Sequence, residues 1–201
     1  MRPLTCRWRS PSEYLDGASG VLLPVGVKRI VTDPAVRRGI WDGLILSGLT
    51  AIVVVLTVVV FPSGPDESDS DPEYLWQYLV FLLVLAILFV AIGYRGRRRG
   101  TGVSGGPKAG AAAGAVFAVM VTLIFLVVNN IFFSVVRQQH DKRVAFAASG
   151  WTSMRAYINV QQVEGLAVLI PMGILAGVVL GLVGAAIAGR GATTPHRSPV
   201  P

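Results

Sequence analysis

The feature that most constrains this chain is the absence of charge over four long stretches. No residue between Gly43 and Pro65 carries a charge, and none does within residues 74–94, 109–136 or 165–189. A helix needs about 20 apolar residues to cross about 30 Å of hydrocarbon, and each stretch reaches that length. Only 14% of the 201 residues are charged and 53% are hydrophobic, where a soluble domain carries about a quarter charged. A soluble enzyme domain, a disordered protein, a coiled coil and a secreted disulfide scaffold are all excluded. The reading is an all-α integral membrane protein with four transmembrane helices in two hairpins, at about residues 41–61, 74–94, 109–136 and 165–189. Residues 1–40 read as a largely unstructured cytoplasmic segment, leading into the first span through a short helix or loop at residues 25–38. Residues 190–201 read as a disordered cytoplasmic tail.

Charge sets the expected orientation. The segment before the first span, the connection between the second and third, and the tail together hold 14 of the 18 Lys and Arg residues. The connection between the first two spans has no basic residue and five acids: Asp66, Glu67, Asp69, Asp71 and Glu73. Cytoplasmic loops carry the excess of Lys and Arg. Both termini are therefore expected in the cytoplasm and the protein in the cytoplasmic membrane. The net charge of +7 is explained by these flanks, so nucleic acid is not an expected partner. The Arg95, Arg97, Arg98 and Arg99 cluster is a topology anchor that could also contact anionic lipid. Residues 95–107 read as a flexible linker by composition.

Within the spans the clearest pattern is a small residue at every fourth position. The fourth span has Gly173, Gly177, Gly181 and Ala185; the third has Gly110, Gly114 and Ala118; the first has Gly39, Gly43, Ser47 and Ala51. Four residues make just over one helical turn, so each set shares a face. Small faces let membrane helices approach closely. The stripes predict packing of span 3 against span 4 within one chain, or self-association into a homo-oligomer. Span 2 shows no stripe and is expected to face lipid or a partner subunit. Pro171 is expected to kink span 4 or to mark where the helix tightens.

Residues 137–164 form the least ordinary connection. Asn129 and Asn130 lie near the end of span 3, and a buried amide needs a partner, so they are expected to bond another helix or water. With His140, Asp141 and Glu164 they make a possible outer polar site. The alternative is a hydrated loop. Trp151, Met154, Ile158 and Gln162 share one face, which predicts an interfacial helix or an extension of span 4.

No catalytic, cofactor or metal site is expected. Cys6 is the one cysteine and the histidines are His140 and His196, too few convergent ligands for a metal. No nucleophile elbow, phosphate loop or zinc-protease motif occurs. The functional expectation is a structural or accessory subunit of a membrane complex, in contact with the bilayer and with a larger membrane protein or its own copies. The alternatives are a homo-oligomeric passive channel or pore and an extracytoplasmic ligand or lipid sensor acting through residues 137–164.

Overall fold

The computed structural model describes residues 32–60 and 72–190. The N-terminal segment with Cys6, residues 61–71 of the acidic connection and the tail with His196 lie outside the described residues. The compact unit begins at Asp33.

Helix α1 spans Pro34–Val60. Asp33 starts it: its carboxylate accepts the Ala35 N–H at 2.9 Å, and its carbonyl accepts the Arg37 N–H at 3.0 Å. Proline at the first helical position loses no bond the helix would make, and Asp is a preferred cap before it. The helix therefore begins seven residues before the expected span.

Helix α2 spans Pro72–Gly96 and runs directly into a π-helical turn, Arg97–Thr101. Gly102, at φ 67°, ends that turn. Helix α3 spans Gly105–Ile131, so the expected linker over residues 95–107 is mostly helical. Phe132 interrupts α3, and a single further turn, α4, covers Phe133–Val136. Helix α5 spans His140–Ser149 and ends at Gly150, whose left-handed conformation (φ 71°, ψ 8°) stops it.

Helix α6 runs unbroken from Met154 to Arg190, 37 residues or about 55 Å at 1.5 Å per residue. Of the two expectations for residues 151–162, the extension of the fourth span is the one the structure shows. Pro171 lies inside α6 and does not end it.

Among the described residues four helical stretches are long and apolar enough to cross a membrane: Pro34–Val58, Leu75–Arg99, Gly105–Ile131 and Met154–Arg190. The fold is an all-α four-span bundle. Helices α3 and α6 form the most extensive contact; α1 packs on α3, α2 on α6, and α1 and α2 barely meet.

One end of the bundle gathers Asp33, the α2–α3 connection and Arg190, and is called the basic end below. The other carries α4, α5 and the start of α6, and is called the amide end. The buried core lies toward the basic end. Leu46, Phe89, Ile92, Ala109 and Ala113 form it, with Leu85, Leu88, Phe117 and Leu180 around it. Phe89 and Phe117 meet edge to face at 6.2 Å, a favourable ring geometry. Ile52 and Leu56 of α1 and Leu75, Leu79 and Leu83 of α2 are exposed. In water such a surface would aggregate; lipid tails are as apolar as the leucines themselves.

Candidate functional site

The first candidate region is the α3–α6 seam. A Cβ built on Gly110 would strike the carbonyl oxygen of Gly177, and one on Gly177 would strike that of Gly110. Gly114 and Gly173 stand in the same relation, as do Gly106 and Gly181. Each four-residue step along α3 is matched by a four-residue step back along α6, so the helices are antiparallel. A Cβ on Gly173 would also lie 3.4 Å from that of Ala118. Backbones this close gain dispersion and Cα–H···O contacts that substitute for a hydrophobic drive in lipid. On α3's neighbouring face, Gly39 and Gly43 of α1 lie against the backbones of Ala109 and Ala113.

At the basic end a third helix joins. A Cβ on Gly106 would lie 2.6 Å from both Ala185 Cβ and the Gly181 oxygen, and 3.0 Å from the Gly93 oxygen. Gly93 of α2 presses on the Gly181 backbone, and Gly184 on the Val90 carbonyl and Tyr94 amide. Sequence reasoning missed this contact, having found no small-residue stripe in span 2. The signal was the pair Gly93 and Gly96, three apart at the end of an otherwise bulky helix.

The hydroxyls inside the spans turn back on their own helices. Ser47 donates to the Gly43 carbonyl at 2.7 Å, Thr50 to Leu46 at 3.0 Å, Thr57 to Val53 at 2.9 Å and Thr122 to Ala118 at 3.0 Å. Such bonds satisfy the hydroxyl locally, so these side chains present little polarity to a passage between helices. Asp42 is the exception sequence reasoning overlooked. It sits in the third turn of α1, and its Oδ2 is buried with no hydrogen-bond partner.

The four arginines do not act alike. Arg97 donates through Nη1 to the Ala185 carbonyl at 2.7 Å, and its guanidinium fills the space a side chain at Gly189 would need. A cation on the last turns of a helix complements the dipole. Arg97 is therefore committed to α6. Arg95, Arg98 and Arg99 are exposed, and the Arg98 guanidinium lies 5.0 Å from the Tyr94 ring centre.

At the amide end the seam is made by side chains. Asn130 Nδ2 donates to Asn159 Oδ1 at 2.8 Å, and Asn159 Nδ2 returns a bond at 3.4 Å. Asn130 also donates to the Leu126 carbonyl at 2.8 Å, and Asn129 is buried. Beyond this pair Val136, Tyr157 and Ile158 form a second buried cluster, flanked by Phe133, Phe146 and Met154. Tyr157 accepts a hydrogen bond from Gln161 at 2.7 Å and stacks obliquely with Phe146 and Trp151. The Arg155 guanidinium lies 4.6 Å from the Phe133 ring centre.

An open groove of about 760 Å³ adjoins this cluster, lined by Arg137, His140 and Arg143 together with Val144, Phe146 and Met154. The residues expected at an outer polar site have different surroundings. Asn130 belongs to the α3–α6 seam, His140 lines the groove, and Glu164 is exposed on α6. Among the described residues no three of His, Cys, Asp and Glu converge.

Comparison with protein-family models, curated proteins and solved structures yields no match for this chain.

Proposed function

We propose that this protein is an accessory subunit of a complex in the cytoplasmic membrane, with both termini in the cytoplasm, and that it supplies a scaffold rather than a reaction. One observation carries the reading. Helices α1 and α2 are held to the α3–α6 pair toward the basic end, and they barely touch each other. Their remaining apolar lengths have no counterpart within the chain, which suits helices of another membrane protein. The inward-turned hydroxyls of Ser47, Thr50 and Thr122 weigh against a hydrated channel.

The test is crosslinking in the native membrane, followed by purification in mild detergent and mass analysis. A foreign subunit at fixed stoichiometry is expected. A ladder of multiples of 21.3 kDa containing only this chain would overturn the accessory role in favour of self-assembly. Orientation is tested separately with accessibility reporters: Ser153 is expected outside, and Gly102 and Thr194 inside.

A further inference from the structure

We propose that the groove at the amide end binds the phosphodiester headgroup of one anionic phospholipid, with its acyl chains against the groove's apolar residues. Arg137, His140 and Arg143 line one concavity of about 760 Å³, a size that accommodates a small ligand or headgroup. Both arginines are exposed, and a guanidinium offers paired N–H donors that match two phosphate oxygens. The same groove is lined by Val144, Phe146 and Met154. A site for free phosphate has no use for those apolar neighbours, whereas an amphiphile needs both halves.

Position agrees with composition. The groove lies just past the end of α3, where an apolar span of 27 residues stops, and exposed Trp151 adjoins its aromatic cluster. Tryptophan concentrates at the headgroup level of membranes.

Charge gives an independent argument, which rests on the orientation proposed above. The positive-inside tendency accounts for the 14 basic residues on the cytoplasmic side and calls for none here. The connection nonetheless holds Arg137, Lys142, Arg143 and Arg155. Arg155 is placed over the Phe133 ring, while Arg137 and Arg143 line the groove. Anionic headgroups attract such basic clusters.

The test uses the full chain in nanodiscs of phosphatidylcholine with a minor fraction of phosphatidylglycerol. Lipids retained after release are counted by native mass spectrometry. The wild type is expected to keep one phosphatidylglycerol in preference to phosphatidylcholine. The R137Q/R143Q variant is expected to lose that retention by about tenfold or more, with its melting temperature unchanged. R137K/R143K, which keeps the charge but not the paired donors, should retain only part of it, and R155Q, which leaves the groove intact, all of it.

Equal retention by R137Q/R143Q, or no preference between the two lipids, would overturn the proposal. So would displacement of the lipid by millimolar inorganic phosphate, which would mark a site for free anions. If R137Q/R143Q does not fold, R143Q alone must still weaken retention. Both leaflets are accessible in nanodiscs, so failure here leaves the orientation untouched and the Ser153 reporter judges that on its own.

Discussion

Helices α3 and α6 are joined by opposite means at their two ends. Toward the basic end, backbone meets backbone through Gly106, Gly110 and Gly114 against Gly181, Gly177 and Gly173. Toward the amide end, contact passes through whole side chains: the Asn130–Asn159 pair and, through α4 just beyond α3, the Val136, Tyr157 and Ile158 cluster. The glycine half gains many weak contacts from close approach, and it has no space to yield. The side-chain half depends on a few directional bonds and larger groups that can adjust. The same helix pair should therefore respond very differently to substitution at its two ends.

The largest effect is expected at Gly177. Even a Cβ there meets the Gly110 carbonyl, and a backbone atom cannot rotate aside. Gly177→Ala is expected to cost about 1–3 kcal/mol, the range for overpacked sites, and Gly177→Leu to abolish cooperative unfolding in detergent. Thermal unfolding monitored by circular dichroism decides it. A melting temperature for Gly177→Leu equal to the wild type would mean that the helices are not in backbone contact.

A smaller loss is expected at the amide pair. Hydrogen bonds between membrane helices average about 0.6 kcal/mol in double-mutant cycles, because the separated helices also find partners. Asn130→Ala and Asn159→Ala should each destabilise slightly, and the double variant should lose less than the two single losses combined. Strict additivity would show that the pair contributes nothing as a pair.

Comparable in size but opposite in sign is Gly165→Ala. Gly165 lies on α6 with no atom within 4 Å of a built Cβ. Alanine there only removes backbone freedom from the unfolded chain, which stabilises by about 0.4–1 kcal/mol. If Gly165→Ala and Gly177→Ala shifted the melting temperature alike, the contrast between the two halves of the seam would fail.

How legible these features were follows from the range over which each is determined. Spacing of four is local, so the faces carrying Gly110, Gly114, Gly173 and Gly177 could be read directly. The start of α1 was also local, since Asp33-Pro34 is a cap and a first-turn proline. Arg37 and Arg38 interrupted the apolar run and drew the expected boundary inward, whereas Asp42 lay inside the expected span 41–61 and was passed over because the charge-free run was counted from Gly43. Asn130 could be seen to need a partner. Its choice of Asn159 depends on α6 beginning as early as Met154, and residues 154–164 are too polar to resemble a span. The α2 contact was legible only as the pair Gly93 and Gly96, with nothing to name its partner. Gly93 and Gly184 acquire meaning only once three helices converge on Gly106, and no periodicity within one segment encodes that.

The smallest expected effect belongs to the far basic end, where Lys108 of α3 bridges to Asp33 at 2.8 Å. The hydrogen bond from Lys108, then that from the Ala35 amide, holds the Asp33 carboxyl below its ordinary value of 3.8. A carboxyl with a lowered folded pKa stabilises the folded state above its ordinary value. That contribution fades as pH falls from there through the lower folded value. The pair is exposed at Lys108, so salt should weaken it further. Asp33→Asn separates charge from capping, because asparagine caps a helix as well as aspartate. Above pH 5 the variant is expected to melt slightly below the wild type at low salt, and the gap should close as the medium is acidified. The energy linking Asn130 to Asn159 should stay constant over the same range, since neither side chain titrates. No gap between Asp33→Asn and the wild type at any pH would show that Asp33 stabilises α1 by capping alone, and that the Lys108 bridge adds nothing to the glycine-packed end.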